Sequence, residues 1–207
     1  MKTLSKIIAI LLVLSLSSQV YGASKFTDLK GYEWAKSAIE TLENQGIIKG
    51  TSTTTFSPDK NITRADFAVI LVRWLDLKSD SIELFEDVYV GAYYAKAVGI
   101  AKSLGIINGT GKGRFSPGSY ITKQDMMLMV YRALKYKGYD LSDKKTLSRF
   151  KDEKYISDYA RVSIEALESK GIIDWIQNEL KPKEYATRAE AAMLIYQAIE
   201  KLNMTVA

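Results

Sequence analysis

One ordered pattern occurs three times in this chain. From Gly46 it reads GIIKGTSTTTFSPDKNITRADF, from Gly105 GIINGTGKGRFSPGSYITKQDM, and from Gly171 GIIDWIQNELKPKEYATRAEA. Phe26 and Phe85 stand 59 residues apart, as do Thr63 and Thr122. An offset held that constant marks a repeat architecture, in which no single unit buries its apolar face alone. From the second to the third copy the offset is 65 or 66, mostly through the connector from Lys137 to Arg149.

Each copy predicts helix, long ordered loop, helix. In the first, Trp34, Ala35, Ala38, Ile39 and Leu42 recur at spacings of three and four. Gly46 follows where a left-handed C-cap is required, and Gly105 and Gly171 repeat it. Phe56-Ser57-Pro58-Asp59 reads as a loop anchor and a proline turn. A second helix opens at Thr63 and shows Phe67, Ile70, Leu71, Trp74 and Leu75 on one face. The expected units are 23–80, 81–140 and 146–203. The fold class is all-α, and three such units either stack as an open solenoid or close around a pseudo-threefold axis.

Residues 1–22 have the layout of a secretory signal peptide. Lys2 and Lys6 precede an apolar run, Ile7 to Leu14, and Val20 and Gly22 fit a cleavage site after Gly22 or one residue later. The run is too short to span a bilayer comfortably, and no later segment is apolar enough to do so. The protein is therefore expected to be exported, without a membrane span in its mature form.

Composition narrows the chemistry. The 207 residues contain no cysteine and no histidine, which excludes disulfides, Cys/His zinc sites, thiol nucleophiles and any Ser-His-Asp triad. The net charge of +5, or +3 without Lys2 and Lys6, is too weak and scattered to indicate nucleic acid. Glycoside hydrolysis needs a carboxylate pair in one cleft, and the acidic residues here are accounted for by caps and helix surfaces. No cofactor or metal is expected.

Thr63/Asp66, Thr122/Asp125 and Thr187/Glu190 have capping-box spacing. The residue between is less easily explained. Arg64, Lys123 and Arg188 place a cation at the positive end of a helix three times. Two compensations are open: an anionic ligand shared with the free N–H groups of the helix start, or an ion pair with Asp28, Asp87 or Asp152 of a neighbouring repeat. Those aspartates, in Phe-x-Asp, either cap their own helices or bind sugar hydroxyls. Trp34, Tyr93 and Tyr159 share one position and are either core or platforms for a sugar ring. Gly46, Gly105 and Gly171 are backbone necessities that could also offer N–H groups to a ligand.

The ordered set, an aromatic-x-Asp opening, a Trp/Tyr helix, Gly-Ile-Ile-x-Gly, Phe-x-Pro and Ile-Thr-Arg-Ala-Glu, resembles the S-layer homology family over residues 26 to about 201. The resemblance implies a pseudo-trimeric helical module whose inter-repeat grooves bind secondary cell-wall polysaccharide, typically a pyruvylated amino-sugar polymer linked to peptidoglycan. It implies that Arg64 and Arg188 meet the negative charge. It also implies a location at the cell wall, with a surface protein as a further partner. Lys123 departs from the pattern and loses the bidentate fork, so its groove is expected to bind more weakly. Trp175, in place of a loop glycine, sets the third groove apart. The alternative from another class is a protein–protein or S-layer assembly module.

Overall fold

The glycine after each first helix has the conformation its position demands. In a computed structural model, which describes residues 24–204, Gly46, Gly105 and Gly171 have φ of +71°, +68° and +71°. Each closes a Schellman cap, with Gly46 N–H donating to Glu43 and Ile47 N–H to Leu42, both at 2.9 Å. The chain therefore turns sharply, and the two isoleucines after each glycine enter the core. The expected signal peptide lies outside the described residues.

Six α-helices follow in pairs: α1 (Glu33–Asn44) and α2 (Arg64–Trp74), α3 (Ala95–Ser103) and α4 (Lys123–Tyr136), α5 (Asp158–Ser169) and α6 (Arg188–Lys201). A 3₁₀ turn, Glu153–Tyr155, precedes α5. Among the described residues there is no β-strand, only isolated bridges. The all-α class and the helix–loop–helix unit read from the sequence are both borne out.

The helices pair across repeats. α2 packs on α3, α4 on α5, and α6 returns to α1. At the centre, Ile62 N–H donates to Ala186 (3.0 Å), Ala186 N–H to Ile121 (2.9 Å), and Ile121 N–H to Ile62 (3.1 Å). These three residues are almost wholly buried. The chain thus closes into a ring instead of running open. One continuous apolar core joins all six helices, and each fully buried aromatic or aliphatic side chain in it contributes about 1.5–3 kcal/mol.

Candidate functional site

The aspartate of each Phe-x-Asp motif binds a loop and does not cap its own helix. Asp28 accepts from the N–H groups of Phe56 (2.9 Å) and Ser57 (2.7 Å), and Asp87 from Phe115 (2.7 Å) and Ser116 (2.8 Å). Asp152 does the same for Leu180 and Lys181 at 2.9 and 2.7 Å. The residue before each proline (Ser57, Ser116, Lys181) is forced to a positive φ of 53–59°, a strained position for a side chain. Two charge-assisted bonds hold it there. Burial pushes the Asp28 and Asp87 carboxyls up, but the backbone donors outweigh it and leave both below the usual carboxylate range. The expectation that these aspartates cap their own helices is corrected: the carboxylates bind the loop N–H groups instead.

With the loop fixed, its carbonyls turn toward the neighbouring repeat. Arg64 N–H donates to Ser119 (2.9 Å) and Ala65 N–H to Pro117 (3.1 Å). Lys123 and Gln124 donate equivalently to Glu184 and Pro182, and Arg188 and Ala189 to Lys60 and Pro58. The N–H groups at the first two positions of these helices are therefore spent on the next loop, and the third is taken by the threonine hydroxyl. This corrects the expectation that they are free for an anion. The loop carbonyls also take up the arginines. Arg64 Nε donates to Phe115 (2.9 Å) and Nη2 to Asn108 (3.3 Å). Arg188 Nε donates to Phe56 (2.9 Å) and Nη2 to Lys49 (2.6 Å).

Each guanidinium also lies over the phenylalanine it bonds, at 4.8 Å for Arg64 on Phe115 and 4.6 Å for Arg188 on Phe56. The third loop has Leu180 in place of a phenylalanine and so offers no ring face, and the helix start that meets this loop carries Lys123. Its ammonium pairs with Glu190 at 2.5 Å. The ion pair with Asp28, Asp87 or Asp152, held open from sequence, is not made by Arg64, Lys123 or Arg188 among the described residues. Arg64 approaches Asp125 at 3.7 Å instead.

Two grooves among the described residues are each built from all three repeats. The first, of about 210 Å³, is bordered by Lys49 and Gly50 from the first loop, Asp66 and Arg73 of α2, Arg188 of the third repeat and Tyr93 of the second. The second, of about 410 Å³, has Asn108 and Gly109, Asp125 and Arg132 of α4, Arg64 of the first repeat and Tyr159 of the third. Tyr93 donates to Asp66 (2.5 Å) and Tyr159 to Asp125 (2.8 Å). Burial first, then these carboxylates, push both phenols up to about 12. Tyr93, Tyr159 and Trp34 are 72%, 57% and 45% exposed, so the core reading of these aromatics is overturned. Only Thr187 and Glu190 complete a capping box; the shorter Asp66 and Asp125 turn to the tyrosines instead.

Several groove residues were not legible from the repeat pattern. The N–H groups of Gly46, Gly105 and Gly171 are consumed in their caps, which removes them as ligand donors. The glycines that border the grooves stand four residues on, at Gly50 and Gly109. A Cβ there would meet backbone oxygens at 2.6 and 2.4 Å. Arg73 and Arg132 were also missed. They occupy one position of the second helix, exposed at Arg73 and half-buried at Arg132, a signal available from repeat register once the groove is known. In the third repeat that position is Gln197.

The chain matches the S-layer homology domain family at residues 25–68, 84–127 and 149–192. It is 36% identical over 178 residues to an amylopullulanase of Thermoanaerobacterium thermosulfurigenes, covering 85% of this chain and 10% of that protein. It is 36% identical over 180 residues to exoglucanase XynX of Acetivibrio thermocellus, covering 86% and 16%. To the surface-layer 125 kDa protein of Lysinibacillus sphaericus it is 27% identical over 184 residues, covering 87% and 15%. The chain thus spans less than a fifth of the length of each of these relatives.

Proposed function

Because the chain belongs to the S-layer homology domain family, we propose that it anchors non-covalently to the bacterial cell wall by binding an anionic secondary cell-wall polysaccharide, of the pyruvylated kind, in its inter-repeat grooves. Membership makes it a wall-binding module of the cell surface. The long relatives named as enzymes share only a small segment with it, and we assign that segment the anchoring part. Attachment to peptidoglycan through the polymer, and the docking of a surface protein, belong to the same reading.

The observation that carries the proposal is the meeting of unlike groups in each open groove. A guanidinium from the second helix, a second from another repeat, an aspartate–tyrosine pair and an exposed aromatic edge converge on one cleft. A sugar acid uses each of them. Its carboxylate takes the fork of an arginine, its hydroxyls take Asp66 or Asp125, and its ring lies against the phenol. Arg73 is exposed and its guanidinium has no ion pair or hydrogen bond among the described residues, so it is available to a ligand. Asp28, Asp87 and Asp152 support the loops from behind.

The test uses Arg73 and Arg132, because Arg64 and Arg188 also hold loops together. The double variant Arg73→Ala/Arg132→Ala should keep its melting temperature and lose wall retention by at least about tenfold, one arginine–carboxylate contact being worth about 1.5–3 kcal/mol. Retention should also fall with added salt. Full retention by the double variant, or equal retention on walls stripped of the secondary polymer, would sink the proposal. The latter would favour a protein partner.

A further inference from the structure

We propose that only two of the three grooves take glycan, the third being permanently closed by the chain's own Trp175. This rests on the wall-glycan reading above and adds the number of sites.

The register of the ring defines what the third groove would contain. By analogy with the other two, its loop position is Trp175, its acidic residue Glu190, its helix cation Gln197, its imported cation Lys123 and its aromatic Trp34. Every one of these differs from its counterpart in the open grooves. The Trp175 indole stacks on Trp34 with centroids 5.7 Å apart and planes 10° from parallel. That is the place a sugar ring would take on an aromatic platform. Lys123 is bound to Glu190, which also accepts from Thr187 N–H at 2.8 Å, so here the imported cation and the carboxylate neutralise each other directly. Trp34 has no hydroxyl to act as Tyr93 and Tyr159 do. Gln197 supplies no charge, and its amide sits 3.8 Å from the Met193 sulfur.

The indole is held in place by a remade loop. Gly50 and Gly109 cannot carry a Cβ because the backbone runs directly beneath them. Residues 171–176 instead curl into successive turns, with Asp174 N–H donating to Gly171 (3.3 Å) and Ile176 N–H to Ile173 (3.0 Å). Arg149 gathers the carbonyls of Ile173, Ile176 and Gln177. It forks onto buried Glu168 at 2.6 Å through both nitrogens. Closure of this groove is thus built into the loop and its support, not into one rotamer.

The experiment is a calorimetric titration of the chain with a pyruvate-ketal-bearing amino-sugar disaccharide, paired with far-UV circular dichroism. Two stacked indoles whose in-plane transition dipoles are skewed give an exciton couplet, and ligand entry into the third groove must break it. Two equivalents should bind, with the couplet unchanged at saturation. Trp175→Ala should abolish the couplet, which identifies its source, and remove neither equivalent. A third equivalent in the wild-type chain, a couplet that collapses as ligand is added, or an equivalent lost in Trp175→Ala would each overturn the closed groove and leave the wall-glycan reading standing. No binding at all by the wild-type chain would overturn both.

Discussion

Asp87 illustrates how one carboxylate sets the geometry of a groove from a distance. Its two bonds to Phe115 and Ser116 hold the residue before Pro117 at positive φ, and that turn aims the Phe115 carbonyl at Arg64. The fold favours its ionised form, since its pKa lies below the ordinary value. Stability from this group is therefore full above the unfolded carboxylate pKa of about 3.9 and is lost as pH falls through the lower folded value. The same holds for Asp28. Asp87→Asn should lower stability at neutral pH by about 1.5–3 kcal/mol and flatten the acid limb of the stability curve. Urea titrations from neutral to acid pH check it, and an unchanged acid limb would refute the assignment. The same scale explains Lys123. Arginine occurs where a phenylalanine ring lies beneath it, and the lysine, whose loop carries Leu180 in place of that phenylalanine, pairs with Glu190 instead.

At the scale of the element, the glycine caps, the helix starts and the apolar faces were all readable from the pattern, because each is a local necessity of the backbone. The third loop was not. The sequence shows Trp175 and a loop one residue shorter, but nothing local says that Arg149, from the connector, reaches back to support it. Burial pushes the Glu168 carboxyl up, and Arg149 and Lys145 pull it below the usual range. Arg149→Ala leaves that buried carboxylate, 1% exposed, with Lys145 alone at 3.2 Å. Loss of about 3 kcal/mol is expected, the low end for a broken buried pair because one cation remains. Denaturant unfolding measures it, and the indole couplet should weaken in parallel. A change under about 1 kcal/mol would mean that the pair does not hold the loop.

The whole molecule behaves as a ring. Its first helix has its apolar face against the last, and Ile62 needs the Ala186 carbonyl. In an open solenoid each repeat relies only on its neighbours, so two repeats keep part of the structure. Closure removes that modularity. A fragment of residues 24–140 should therefore lack a cooperative thermal transition, while the chain with all three repeats unfolds in one. Calorimetry distinguishes the two, and a fragment melting cooperatively near the intact protein would refute the closed architecture. No helix among the described residues is long and apolar enough to cross a membrane.

What the sequence determined by itself is the unit: three copies, their caps, their loops, their buried faces and the cations at their helix starts. These follow from periodicity and from backbone rules that act over a few residues. What only the tertiary structure decided is how the copies meet. Each open groove draws on three separate repeats, so Arg188, Arg73 and Tyr93 become neighbours only when the ring closes. The free helix N–H groups expected from one repeat vanish once another repeat's loop lies against them. The third site already differs in sequence at Lys123 and Trp175, but only the fold shows that Trp175 stacks on Trp34. Such contacts join residues far apart in the chain, and no local spacing encodes them.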